Sequence, residues 1–170
     1  NSYREAPPIP GKVVGTAGNL LFTREDILSG QQVFLKYGLM ENGTIWGHGA
    51  YLGPDFSAEY LHTLAVDTGE YLAQQEYRRG FPELKDAEQV AVRARLQEIL
   101  KENRYHPKTD TLLLTKPEEE SYRHQIGKWT AYFSDPMVNR GLLYGHIRNA
   151  QEIENLTAFF AWTAWATVAN

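Results

Sequence analysis

Glu59 and His62 form an E-x-x-H pair, the spacing that sets a carboxylate and an imidazole on one helix face in di-iron carboxylate bundles. Such a centre needs a second copy and two further acids. The nearest echo, Glu120 to His124, is one residue too long, so a metalloenzyme built on Glu59 and His62 stands as a minor alternative to a solvated helix face. His48, His106, His124 and His146 lie at unrelated spacings with no H-E-x-x-H, and no G-x-S-x-G marks a nucleophile. The glycine-rich stretch from Gly38 to Pro54 lacks the terminal G-K-S/T of a phosphate cradle and is not a dinucleotide fingerprint. With no cysteine, the chain has no disulfide, thiolate zinc site, thiol nucleophile, iron–sulfur cluster or thioether-linked haem.

The elements that must position any site come from a chain of 170 residues with 17 Lys plus Arg against 21 Asp plus Glu. A weakly acidic balance without a basic cluster argues against nucleic acid as a partner. A hydrophobic content of 42% with 12% aromatic residues argues for a packed core. The longest apolar run, Leu156 to Ala169, is interrupted by three Thr and falls short of a membrane span, yet it carries Phe159, Phe160, Trp162 and Trp165. That crowding, in a chain that opens without Met, reads as an excised piece whose neighbour is missing.

Residues 1–22 hold Pro7, Pro8, Pro10, Gly11, Gly15 and Gly18 and read as an extended lead-in, followed by one domain over 23–170. Thr23 with Glu25 and Asp26 predicts a helix start, and Ile27, Gly30, Phe34 and Tyr37 continue it to Gly38. Gly38 to Pro54 is a structured loop. A helix follows from Ser57 to Arg79, with Gly69 a candidate break, and Gly80-Phe81-Pro82 punctuates it. Glu83 to Glu102 has amphipathic periodicity, Thr109 to Thr115 reads as a short strand, and Pro117 opens a helix that closes at Asp135-Pro136. Met137 to Asn149 reads as loop and Gln151 to Val168 as the last helix, with Ile153, Leu156 and Phe160 on one face and Trp162 and Trp165 on roughly the other. An aromatic of that helix can pack on Gly30 of the first; generic helix packing gives the same pairing and is the simpler reading on geometry alone.

The pairing of first and last helices nevertheless resembles class I cytochromes c. The segment from Gly30 to Tyr37, with Val33 and Phe34, and then Thr44-Ile45-Trp46-Gly47-His48-Gly49-Ala50-Tyr51-Leu52-Gly53-Pro54-Asp55-Phe56, is similar to the haem-c subunit of bacterial nitric oxide reductases. That family reads G-x-x-V-W/F-x-x-Y-x-C-x-x-C-H-T-x-x-G-E-G-A-Y-x-x-P-E. In this register the haem-anchoring cysteines fall on Leu39 and Asn42, the axial His on Gly43, and the axial Met, counted back from the last helix, on Leu143. His48 falls on the family's acid and is no relic ligand.

A cytochrome of this kind stripped of its haem positions resembles the extracytoplasmic domain of single-chain, quinol-dependent nitric oxide reductases. The resemblance implies a mainly α, cytochrome-c-like domain lacking haem, with a helical insertion over 57–136 and one short β element. It implies a non-catalytic structural cap that docks through Trp162 and Trp165 on the membrane-embedded catalytic part of the same chain, on the periplasmic side of the bacterial inner membrane. There the parent enzyme reduces two NO to N₂O and water at haem b and non-haem iron, with quinol reaching only the membrane part. Phe34, Tyr37, Trp46 and Phe159 would fill the vacated haem volume, and Gly49 and Tyr51 would lie near a structural calcium at the interface. No cofactor is expected in these residues themselves. A small-ligand or non-covalent haem-binding module is the rival reading.

Overall fold

The computed structural model describes residues 7–41, 44–46, 48–49, 55–134 and 147–169. The lead-in supplies two strands, β1 (Lys12–Val14) and β2 (Leu20–Thr23), that pair antiparallel. Helix α1 (Arg24–Lys36) starts where the sequence puts it. Thr23 Oγ1 accepts from the Asp26 N–H, and the Asp26 carboxylate accepts from the Thr23 N–H at 2.9 Å, so two end donors are satisfied reciprocally. Past α1 the chain turns at Gly38 (φ 62°) into a 3-10 turn, Leu39–Glu41, and a two-stranded ladder of β3 (Thr44–Ile45) and β4 (His48–Gly49).

Helix α2 (Phe56–Tyr77) is capped by Asp55, whose side chain accepts from the Ala58 N–H. It runs unbroken through Gly69. A mid-helix glycine costs only about 1 kcal/mol relative to alanine, and Leu64 and Leu72, buried on either side, outweigh it. The Arg78 cap is left-handed (φ 56°). A 3-10 turn, Phe81–Glu83, takes Glu83, the first residue of the expected third helix, and α3 spans Asp86–Lys101.

Strands β5 (Tyr105–His106) and β6 (Thr111–Leu113) follow, then α4 (Lys116–Ser134) and α5 (Ala150–Val168). Within the expected Thr109 to Thr115 segment, β6 runs parallel to β1, with Val13 opposite Leu112, completing a four-stranded sheet in the order β2-β1-β6-β5. Val13, Phe22 and Leu112 are buried, which gives the lead-in an apolar reason to be strand. The β component is therefore larger than one short element, while the chain remains mainly α.

The α1–α5 crossing is the most extensive helix contact among the described residues. A side chain at Gly30 would meet the Asn155 carbonyl and lie 2.8 Å from Phe159 Cβ, so only glycine permits this approach. The main core joins α1, α2, α4, α5 and one face of the sheet, whereas Leu72, Ala73, Leu84 and Val92 form a separate small cluster between α2 and α3. The amphipathic pattern of α3 yields one fully buried residue, Val92, and leaves Val90 63% exposed.

Candidate functional site

The core between α1, α2, α4 and α5 is filled by rings. Phe34 of α1 lies 5.7 Å from Phe159 and edge-on to Phe56 at 5.9 Å. Phe56 stacks on Phe160 at 5.0 Å with only 6° between planes, and Trp129 meets Phe160 edge-on at 5.0 Å. Phe133 closes the group against Phe56 and Trp129. Such offset and edge-to-face pairs each add about 0.5–1.5 kcal/mol beyond area burial.

Of the expected fillers, Phe34 and Phe159 are in the core. Tyr37 stands at the rim, donating its hydroxyl to Glu152 at 2.8 Å, and Trp46 lies outside, 44% exposed. The larger share comes from Phe56, which closes the motif, from Phe160 on the inner face of α5, and from Trp129 and Phe133, which lie outside the motif. The signal for these last two was present as the run Tyr122, Ile126, Trp129, Phe133 at helical spacing on α4.

Leu39, aligned with a haem-anchoring cysteine, is wholly buried in this core. Asn42, Gly43 and Leu143 lie outside the described residues. The side chains present do not fit a covalently attached haem: no cysteine exists for a thioether, and the one described anchor position is packed hydrocarbon.

Outside the core, Trp46 and Trp162 form a pair at 5.6 Å. The Trp46 backbone is left-handed at φ 52°, an uncommon state for a bulky residue. Its amide donates to Ser57 Oγ and its indole N–H to the Thr163 carbonyl at 2.9 Å. Trp162 likewise donates its indole N–H to the Pro8 carbonyl at 2.9 Å. Both rings therefore present carbon outward, with their one polar atom satisfied within the chain, beside exposed Leu35 and Met40. Trp165, one turn on, is half-buried against Tyr105.

The polar pairs fare differently. Glu59 is tied to Lys128 at 2.6 Å, and Lys128 also donates to Thr63. His62 instead lines a cleft of about 440 Å³ between α2 and α3, with Val66, Phe81, Arg93 and Leu96. Glu120 and His124 also diverge: His124 Nδ1 lies 2.8 Å from Asp67, which accepts from Ser121 as well, while Glu120 approaches Lys116 at 4.0 Å. Among the described residues no group of three or more His, Asp or Glu side chains could hold a metal ion. Gly49 belongs to β4, and Tyr51 lies outside the described residues.

No helix among the described residues is long and apolar enough to cross a membrane. No curated protein matches the chain. A family model describing the cytochrome c-like domain of the NorB subunit of nitric oxide reductase matches residues 10–170, which takes in the β-sheet, all five described helices and the aromatic interior. The chain belongs to this family of NorB cytochrome c-like domains.

Proposed function

We propose that this chain is a haem-free, structural cytochrome-c-like domain of a membrane-bound, quinol-dependent nitric oxide reductase. It stands on the periplasmic side of the inner membrane, caps the catalytic membrane region of the same chain, and carries no electrons itself. The parent reaction, two NO to N₂O and water, takes place at haem b and non-haem iron in the membrane part, with electrons from quinol. The domain spans 23–170, with 57–136 an insertion relative to a small cytochrome c, and the lead-in 1–22 joins it by adding β1 and β2 to its sheet.

The observation that carries this reading is the burial of Leu39 within the ring cluster of Phe34, Phe56, Trp129, Phe159 and Phe160. Where a haem-bearing relative needs a thioether and a flat cavity, this chain packs hydrocarbon to interior density. The pocket beneath α5, walled by Phe22, Tyr60, Leu112 and Trp165, measures about 30 Å³, far too small for a haem. The small-ligand reading is left with the clefts beside His62, beside His124 and beside Trp46.

Docking is assigned to the face of Trp46 and Trp162, with the half-buried Trp165 at the same end of α5. An interface core wants aromatic area without unpaired polar atoms, and two indoles already satisfied by backbone carbonyls meet that requirement.

Visible spectroscopy of the purified chain, with and without excess haem and with iron quantified, tests the haem-free assignment. The expected result is a flat Soret region in both samples. A saturable Soret band near one haem per chain overturns it and restores electron relay. In the intact reductase, Trp162→Ala should loosen the domain and expose it to protease several-fold faster, and an unchanged digestion rate removes the docking assignment.

A further inference from the structure

We propose that the cleft between α2 and α3 is a binding site for a medium-chain alkyl carboxylate, which sets its carboxylate on Arg93 and its chain along Gly69, Val66 and Leu96. The cleft shares no residue with the ring-filled core or with the tryptophan face, so this inference goes beyond the haem-free and docking assignments and depends on neither.

At about 440 Å³ the cleft falls within the roughly 300–1,000 Å³ of small-molecule sites. One wall is a single face of α2, with His62, Ala65, Val66 and Gly69 at spacings of three and four, and α3 supplies Arg93 and Leu96 opposite. Phe81, whose amide is held by Glu70, marks one end; His62, two turns back along α2 from Glu70, lies about 12 Å away, the reach of a medium alkyl chain. Much of this wall is hydrocarbon without a protein partner. Val66 is 57% exposed, and a β-carbon built on Gly69 meets nothing within 4 Å although the glycine itself is buried. An apolar chain laid along this face supplies the packing that α3, with Val92 as its one buried residue, does not.

The charges select the class of ligand. Arg93 lies over the Phe81 ring at 5.1 Å and, among the described residues, makes no hydrogen bond and no ion pair. A guanidinium that spends its face on a ring keeps its in-plane N–H donors, the fork that matches a carboxylate. Glu70, the one acid on the walls, is already engaged: its Oε2 accepts the Phe81 N–H at 2.9 Å and its Oε1 the Gln74 amide at 3.1 Å. The single phenyl ring of the cleft is covered by Arg93 and the remaining apolar walls are aliphatic, so the body that fits is an alkyl chain rather than a stacked aryl group.

Isothermal titration of the purified chain with sodium octanoate tests the site, against acetate, which keeps the charge without the chain, and 1-octanol, which keeps the chain without the charge. The expected result is saturable binding near one octanoate per chain, with acetate and 1-octanol each weaker by about tenfold or more. Arg93→Gln should weaken octanoate by about tenfold, as loss of a charge-assisted pair does. Gly69→Ala puts a methyl into the cleft and should weaken it several-fold in a chain whose melting temperature is not lowered. Gly127→Ala, the same change on α4 at a position where a β-carbon also meets nothing within 4 Å, should leave binding unchanged. Absence of saturable binding, several octanoates per chain, or equal affinity for 1-octanol overturns the proposal. So does an Arg93→Gln or Gly69→Ala chain that binds octanoate as the unaltered one does, or an equal loss in Gly127→Ala. Should Gly69→Ala fail to fold, Arg93→Gln, at an exposed position, decides the matter.

Discussion

Two helix pairs in this domain solve the same packing problem in opposite ways. Across the α1–α5 crossing, Gly30 lets the backbones approach, and Phe34, Phe159 and Phe160 key into a core shared with α2 and α4. Between the outer half of α2 and α3, four buried residues suffice, and surface devices do much of the holding: Arg79 reaches both Glu88 oxygens at 3.1 Å, Glu70 accepts the Phe81 amide, and Arg93 lies over the Phe81 ring at 5.1 Å. Exposed ion pairs and cation–π contacts each contribute about 1 kcal/mol or less, whereas a fully buried aromatic side chain contributes about 1.5–3 kcal/mol through area alone. The stability of the domain therefore resides in the α1–α5 side, and the α2–α3 side tolerates change.

Truncating one ring on each side breaks the comparison most sharply. Phe160→Ala removes a side chain with no exposure that touches Phe34, Phe56 and Trp129, and should cost about 3–5 kcal/mol. Leu72→Ala, 8% exposed in the small cluster, should cost about 2 kcal/mol, the low end for a leucine. Urea unfolding with unchanged slope reads both, and equal losses would mean that the α2–α3 cluster is as tightly packed as the main core.

Glycines sharpen the same contrast with a change of sign. Gly30→Ala pushes a methyl into the Asn155 backbone, which cannot swing away as a flexible side chain would, and should destabilise by about 3 kcal/mol, the upper end for overpacking. At Gly69 an added β-carbon meets nothing within 4 Å, so Gly69→Ala should stabilise α2 by about 0.5–1 kcal/mol. Thermal unfolding of the two variants side by side decides it; a destabilising Gly69→Ala would show that the glycine is kept for an approach to α2.

How much of this was legible in the sequence follows from the range of each interaction. The Thr23–Asp26 box, the glycine at the crossing and the start of α4 rest on contacts within four residues or on one residue's lack of a side chain, and local spacing encodes them. Unbroken α2 was harder, because the penalty at Gly69 is local while the compensation from Leu64 and Leu72 is tertiary. The parallel pairing of β1 with β6 joins residues about a hundred positions apart, and three-residue strands carry too little alternation to announce a partner. At the candidate site the haem-register motif leads to Leu39 and Phe34 but undervalues Trp129 and Phe133, which belong to a helix outside the motif and reach the core only through the fold. Spacing along α5 makes its last two tryptophans look alike. In the structure Trp162 pairs with Trp46 on the surface while Trp165 turns its N–H inward, a difference set by which carbonyl lies within reach.

The smallest effect expected is electrostatic and belongs to the rim of the α1–α5 side. Glu152, in the first turn of α5, accepts from Lys36 at 2.8 Å and from the Tyr37 hydroxyl at 2.8 Å. The Lys36 hydrogen bond, helped by Tyr37, holds the Glu152 carboxyl below the usual glutamate range against a partial desolvation. A carboxylate with a depressed folded pKa stabilises the fold above its unfolded value of about 4.3. That contribution fades as pH falls through the lower folded value, where protonation removes the acceptor charge. Lys36, raised by its hydrogen bond to Glu152, and Tyr37, raised first by burial and then by the same carboxylate, lose the contact again on the alkaline side as each deprotonates. Glu152→Gln should therefore lower the melting temperature modestly between pH 6 and 8, and the gap to the unaltered chain should narrow steadily as the pH falls below the unfolded glutamate pKa of about 4.3. A gap that stays constant down to acid pH would assign the role of Glu152 to its N-terminal position on α5 and its packing, and would leave the α1–α5 side held by shape alone.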